Sequence, residues 1–199
     1  IRDPLTGLLN RSATESALQQ LQVQLAHPLP YDLDETNLAE YRQLDPKWRD
    51  WQRVSQRCAA IAADIAVKKG MVVLNSMGNE GPAAGTLTAP SDAFGIVAVG
   101  AVYNTGLIAP FSSRGPTYDL RIKPEVCAMG VNTYAASSTS DATYNGGFSG
   151  TSAACPLAAG AACLLVQAHP TWPPSLIRQA LMATASKAAT PDNNYGWGI

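Results

Sequence analysis

Ser152 is the residue best placed for chemistry. It stands in Phe148-Ser149-Gly150-Thr151-Ser152-Ala153-Ala154-Cys155-Pro156, where a serine beside a glycine opens a long apolar helical run and a proline follows four residues later. A helix start presents unpaired N–H groups and the positive end of the helix dipole, and both stabilise negative charge. An acyl-transfer nucleophile needs that help, because the substrate oxygen becomes an oxyanion. The same local pattern also suits Ser152 or Thr151 as a plain helix N-cap.

A second segment offers a matching donor. Met71-Val72-Val73-Leu74-Asn75 reads as a short buried strand running into Ser76-Met77-Gly78-Asn79-Glu80-Gly81-Pro82. That places Asn79 in a flexible loop at the C-terminal end of a strand, where sites form in open parallel α/β sheets. Its side-chain amide could donate to an oxyanion there. A simple turn asparagine is the competing reading.

The elements that position these residues follow from periodicity. Ser12-Ala13-Thr14-Glu15 is a capping-box pattern, and Leu18, Leu21 and Leu25 recur at helical spacing over 13–26. His27-Pro28-Leu29-Pro30 ends that helix, and 31–50 reads as loop. A second helix is expected over 50–69 with Val54, Cys58, Ile61 and Ile65 on one face, closed by Lys68, Lys69 and Gly70. Strands are expected at 71–75, 95–102, 125–128 and 131–135, then helices at 152–168 and 175–185 after Pro173-Pro174. Helices alternating with short apolar strands predict an α/β sheet.

Charge divides the chain. Of 14 basic and 15 acidic residues, nine of each fall in residues 1–70, so 71–199 has the sparse charge of a buried α/β core. The net charge of -1 gives no footprint for nucleic acid or an anionic membrane. No apolar run is read as a membrane span, because Ala153 to Ala168 is interrupted by proline, glycine and glutamine. No signal peptide is visible. Cys58, Cys127, Cys155 and Cys163 show no Cys-x-x-Cys spacing, so zinc and redox sites are unsupported and all four are expected as small buried hydrophobes. Cys155 and Cys163 lie in one helix, roughly 12 Å apart, too far to bridge.

Five segments together resemble the subtilisin-like serine peptidases (subtilases). The family's Gly-Thr-Ser-x-Ala-x-Pro signature is matched by Gly150, Thr151, Ser152, Ala154 and Pro156, and its Gly-Asn-Glu-Gly by Gly78 to Gly81. Phe111-Ser112-Ser113-Arg114-Gly115-Pro116, Lys123-Pro124-Glu125-Val126 with Ala128 and Gly130, and Tyr195-Gly196-Trp197-Gly198 resemble three further family segments in family order. The resemblance spans about 55–199. It implies an incomplete subtilisin-like fold, a mostly parallel sheet flanked by helices, with 51–199 as the C-terminal part of the catalytic domain. It also implies a serine endopeptidase acting on protein or peptide substrates, with Ser152 as nucleophile, Asn79 and the Ser152 N–H as oxyanion donors, and Ser76, Met77 and Gly78 against the substrate's primary side chain. No cofactor or metal ligand is identified; structural calcium and a secreted or cell-envelope location are implied by the resemblance alone.

The base is missing from the pattern. The resemblance implies a triad in the order Asp, His, Ser. His169 lies 17 residues after Ser152 in the same expected helix, roughly 25 Å away. His27 sits in Ala-His-Pro-Leu-Pro and lacks the family's His-Gly-Thr context; Asp32 and Asp34 lie in an acidic loop without the Asp-Ser/Thr-Gly motif. The expectation is a fragment lacking the catalytic Asp and His. Residues 1–50 form an atypical helix and loop segment. Within it, Asp3-Pro4-Leu5-Thr6-Gly7-Leu8-Leu9-Asn10-Arg11 resembles the opening signature of GGDEF-type diguanylate cyclases, but the defining loop is absent. An α/β-hydrolase elbow requires Gly-x-Ser-x-Gly, and residue 154 is alanine. A catalytically dead, peptide-binding subtilase-like module remains the alternative.

Overall fold

A computed structural model describes residues 48–199, with side chains from Cys58 onward. The helix expected at 13–26, the cyclase-like signature, His27, Asp32 and Asp34 lie outside the described residues. Trp51–Ile199 forms one compact unit. In chain order the described residues form α1 (Trp48–Lys68), β1 (Leu74–Ser76), β2 (Val97–Val102), β3 (Val126–Met129), β4 (Thr133–Ala136), β5 (Tyr144–Phe148), α2 (Thr151–Ala168) and α3 (Pro174–Thr184).

β1, β2 and β3 form a parallel sheet in that order, with Leu74 beside Val97 and Val99 beside Val126. All six residues of β2 are buried, the continuous apolar run expected of a central parallel strand. Leu74, Val97, Val99, Ala101 and Val126 pack with Ala154, Ala158, Leu181 and Ala185, so α2 and α3 cover one face. Alanines on α2 let the helix backbone come close to the sheet. The architecture is α/β, with a parallel sheet flanked by helices.

α1 packs differently from the expectation. Its buried face is Ala60 with Ala63 and Val67 against Val73, Ala93 and Ile96, whereas Ile61 and Ile65 are about half exposed. Asp64 sets this rotation. Its carboxylate accepts from the Phe94 and Gly95 N–H groups at 3.2 and 2.8 Å, turning that side of the helix toward the loop before β2. Gly95 allows the contact, because a Cβ there would meet Val67 Cγ1 at 2.8 Å.

β4 and β5 form a separate antiparallel ribbon, with Thr133 opposite Phe148, and β5 is fully exposed. α2 also departs from expectation. By length and composition its 18 residues would suffice to cross a membrane, yet Thr151, Ala153, Ala154, Ala158 and Ala162 are buried within the unit. Of the cysteines, Cys127 is buried, Cys58 and Cys155 are intermediate, and Cys163 is exposed on α2.

The N-terminal edge of the sheet is held by charge. Lys123 Nζ, buried, donates to both Glu125 oxygens at 2.8 and 2.9 Å and to Ala93 O at 3.0 Å. Arg178 on α3 donates to Glu125 Oε1 at 2.7 Å and to Ile96 O at 3.1 Å. The Ala98 N–H completes the carboxylate's shell at 2.7 Å. Burial lowers the Lys123 pKa from its ordinary value, and the Glu125 charge opposes that shift.

Candidate active site

The C-terminal edge of the same sheet brings Asn79 and Ser152 together. β1 ends at Ser76 and feeds Met77-Gly78-Asn79, and α2 begins at Thr151. Ser152 is therefore the second residue of the helix and is exposed, as is Asn79. Helix geometry leaves the Ser152 N–H without an intrahelical acceptor. No acidic side chain lies in the first turn to compete for it.

Neither Ser152 nor Thr151 caps the helix. The N-cap is Gly150 and no side chain bonds there. Thr151 instead holds Asn79: its N–H and its hydroxyl both donate to Asn79 Oδ1 at 2.9 Å. The Gly78 N–H donates back to Thr151 Oγ1 at 3.2 Å. With the amide oxygen taken by two donors, the amide nitrogen faces the other way. Nδ2 lies 3.6 Å from the point where a Cβ on Gly150 would sit, and Ser152 Oγ lies 2.9 Å from it, so the two atoms are at most about 6.5 Å apart. Ser152 N is 3.6 Å from the same point. Three polar groups thus converge on one small space.

Sequence reading missed Thr151 as a positioning residue and saw it only as a possible cap. It also missed how the Phe111–Pro116 segment clamps the Asn79 loop. The Ser113 N–H donates to Gly78 O at 2.9 Å, Ser113 Oγ accepts the Glu80 N–H at 3.0 Å, and the Gly81 N–H donates to Phe111 O at 2.9 Å. Gly78 has φ +107, and a Cβ there would meet Thr88 Oγ1 at 2.7 Å and Ser113 Oγ at 2.8 Å, so only glycine fits this turn. The Gly-Asn-Glu-Gly and Phe-Ser-Ser-Arg-Gly-Pro segments were the available signal.

Ser76 and Gly78 are half-buried, but Met77 is fully buried. Its backbone is tied on both sides: the N–H donates to Val99 O at 3.0 Å, and the carbonyl accepts from the Thr88 N–H at 3.1 Å. This pairing turns the Met77 side chain into the core beneath the loop rather than onto its surface. His169 is at the C-cap of α2, the far end from Ser152, and stacks on Trp172 with ring centres 3.8 Å apart. Cys155, within the first helical turn after Ser152, is no rival nucleophile, since burial pushes its thiol pKa up.

Among the described residues no group of three or more His, Cys, Asp and Glu could hold a metal ion. The carbonyls of Asp92, Ala93 and Ile96, turned together at the other sheet edge, accept from Arg121, Lys123 and Arg178. The described residues therefore do not fit a calcium ion there.

Comparison with known proteins agrees with the α/β architecture. The sequence profile of the subtilase family matches residues 10–198, reaching back across most of the atypical N-terminal stretch. The chain is 40% identical to a subtilisin of Bacillus pumilus over 138 residues, covering 68% of this chain and 46% of that protein. It is 36% identical to the subtilisin-like protease SBT6.1 of Arabidopsis thaliana over 140 residues, covering 64% of this chain and 13% of that protein. Among solved structures, a psychrophilic protease aligns with TM-score 0.62 at 30% identity, covering 70% of this chain and 51% of the other. Sphericase aligns with TM-score 0.60 at 26% identity, with the same shares covered. The chain spans less than half the length of these curated relatives.

Proposed function

The chain belongs to the subtilase family, and we propose that it is the C-terminal part of the catalytic domain of a serine endopeptidase, with Ser152 as nucleophile. The observation that supports this reading is the convergence of Ser152 Oγ, Ser152 N and Asn79 Nδ2 on one space at the sheet's C-terminal edge. Ser152 attacks the scissile carbonyl of a protein or peptide. The Ser152 N–H and the Asn79 amide hold the oxyanion, and Thr151 keeps that amide oriented. Such donors are worth about a hundred- to a thousandfold in turnover each. Ser76 and Gly78 line the approach for the substrate's primary side chain, with Met77 shaping it from beneath.

The general base is supplied from outside residues 51–199. His169 is the one histidine among the described residues, and it stands at the wrong end of α2. A segment carrying Asp and His completes the triad in this reading. A secreted or cell-envelope location and a structural calcium site belong to the same proposal.

Fluorophosphonate labelling of the chain joined to an upstream segment that bears the Asp-Ser/Thr-Gly and His-Gly-Thr motifs tests it. Label at Ser152, lost in Ser152→Ala, is expected. A second reading, a non-catalytic peptide-binding module, is favoured by the absence of a base beside Ser152 among the described residues. Saturable peptide binding with no label at Ser152 would select that module instead.

A further inference from the structure

A cavity of about 220 Å³ lies at the N-terminal edge of the sheet, the edge opposite Ser152. The loop before β2, the segment entering β3, α3 and the Trp197 segment meet there. Phe94, Ile122 and Trp197 give it apolar walls, while Arg121, Lys123, Glu125 and Arg178 give it charge. Walls and charges hold one another in place. The Arg121 guanidinium lies 4.0 Å over the centre of the Phe94 ring. The Trp197 N–H donates to Glu125 O at 3.0 Å.

The charges do not balance. The buried Glu125 carboxylate is filled: Oε1 accepts from Lys123 and Arg178, and Oε2 accepts from Lys123 and the Ala98 N–H. Arg121 pairs with Asp119 and donates to the carbonyls of Asp92 and Ala93. Three cations thus share two carboxylates, and one positive charge is left over. Asp64 and Asp92 line a neighbouring cavity that shares only Phe94 and Arg121 with this one. Lys123 registers the surplus: burial is the chief cause of its lowered pKa, Glu125 opposes the shift, and the charges of Arg178 and Arg121 add to it. The Lys123 donors are all spent, on Glu125 and Ala93 O. Those of Arg178 are not. Its Nε holds Ile96 O and its Nη2 holds Glu125, but Nη1 has no hydrogen-bond partner among the described residues, and the side chain is 27% exposed.

We infer that this cavity binds a small monocarboxylate with an apolar body, its carboxylate on Arg178 and its body among Phe94, Ile122 and Trp197. An open guanidinium edge is matched to a carboxylate. One surplus positive charge calls for one negative charge. The volume is below the ~300 Å³ at which pockets for drug-sized ligands begin, so the body is small. Glu125 is no obstacle, because its oxygens are turned to four donors of the protein. A free aromatic acid and the C-terminus of a peptide ending in an apolar residue share this chemistry.

The full chain, labelled with nitrogen-15, is titrated at constant ionic strength and followed by NMR. Benzoate stands for the free acid, N-acetylphenylalanine for the peptide terminus, and benzamide for the shape of benzoate without its charge. At least one acid is expected to give saturable shifts of the Arg178 Nε–H and the Trp197 indole N–H, with a dissociation constant of about 1 mM. The tighter acid identifies the source. Benzamide should bind at least about tenfold more weakly than benzoate. The urea midpoint should rise with the tighter acid, as mass action requires of a ligand of the native state. Arg178→Gln, with its other amide signals native, should lose about tenfold or more in affinity. Should that variant fail to fold, the comparison with benzamide in the unmodified chain decides alone. Absent or unsaturable shifts, benzamide binding as tightly as benzoate, or undiminished affinity in Arg178→Gln would overturn the inference. None of these outcomes bears on the reading of Ser152.

Discussion

The two ends of the parallel sheet are held in opposite ways. At the N-terminal edge, Lys123, Glu125 and Arg178 form a buried network that ties the loop before β2 to β3 and α3. At the C-terminal edge, the contacts around Ser152 are made by hydroxyls, an amide and close glycine backbones. Charge suits the end that must not move, because paired ions in a low-dielectric setting tolerate little displacement. Neutral donors suit the end where, in the proposed reaction, charge appears only transiently, since a resident anion would repel an oxyanion and a resident cation would be a standing cost.

That contrast can be broken or sharpened in four ways. The largest effect concerns completeness of the reactive end. The 199 residues alone are expected to show no measurable hydrolysis of casein, because a serine hydroxyl without an adjacent base is a weak nucleophile. Joined to an upstream segment bearing Asp-Ser/Thr-Gly and His-Gly-Thr motifs, the chain should gain activity, and Ser152→Ala should then remove about six orders of magnitude of turnover. Robust cleavage by the chain alone, abolished by both Ser152→Ala and His27→Ala, would make His27 the base and reverse this expectation.

The next effect lies at the charged end. Glu125→Ala leaves the buried Lys123 without its carboxylate partner and should cost about 3–5 kcal/mol in urea unfolding. A loss below about 1 kcal/mol would show that the network is not what holds that edge. A smaller change is expected at the neutral end. Thr151→Val removes the hydroxyl that joins the Gly78 N–H to Asn79 Oδ1, and the Ser152 labelling rate should fall roughly tenfold, by analogy with the loss of about one hydrogen bond. An unchanged rate would mean that the Thr151 N–H alone orients the amide.

The smallest effect is a pH slope. Asp119 has its pKa lowered from 3.8 to about 2, chiefly by its bonds to Arg121 and Thr117. A carboxylate lowered in this way contributes stability that is fully present above its unfolded value and is lost as pH falls through its folded value. Between pH 3.8 and about 2 the urea midpoint of Asp119→Asn should therefore fall less steeply than that of the unmodified chain. Parallel slopes would mean that the Arg121 pair does not survive in solution.

The proposed site residues stand out in the sequence because the chemistry proposed for them demands particular types in fixed order: Gly150-Thr151-Ser152 and Gly78-Asn79 carry that pattern locally. What was not legible depended on distant partners. Thr151 reads as a cap in its own neighbourhood, and its partner Asn79 is 72 residues away in sequence. Met77 sits in a loop pattern, yet pairing with Val99 turns it inward. The face of α1 followed from Asp64 reaching the Phe94 and Gly95 amides rather than from the apolar spacing of Ile61 and Ile65. β5 was missed because Tyr144-Asn145-Gly146-Gly147-Phe148 carries two glycines and no buried face, so the alternation that marks a strand never arises.

The unequal burial of the four cysteines makes the molecule its own folding gauge. Cys163, exposed on α2, should take up a thiol reagent in the native state, while Cys58 and Cys155 report partial openings near α1 and the first turn of α2. Cys127, at the centre of β3, has its thiol pushed up to about 12 by burial, so it reacts only when the sheet itself comes apart. The order in which the thiols are modified thus ranks the openings of the molecule, from surface fraying to loss of the parallel strands.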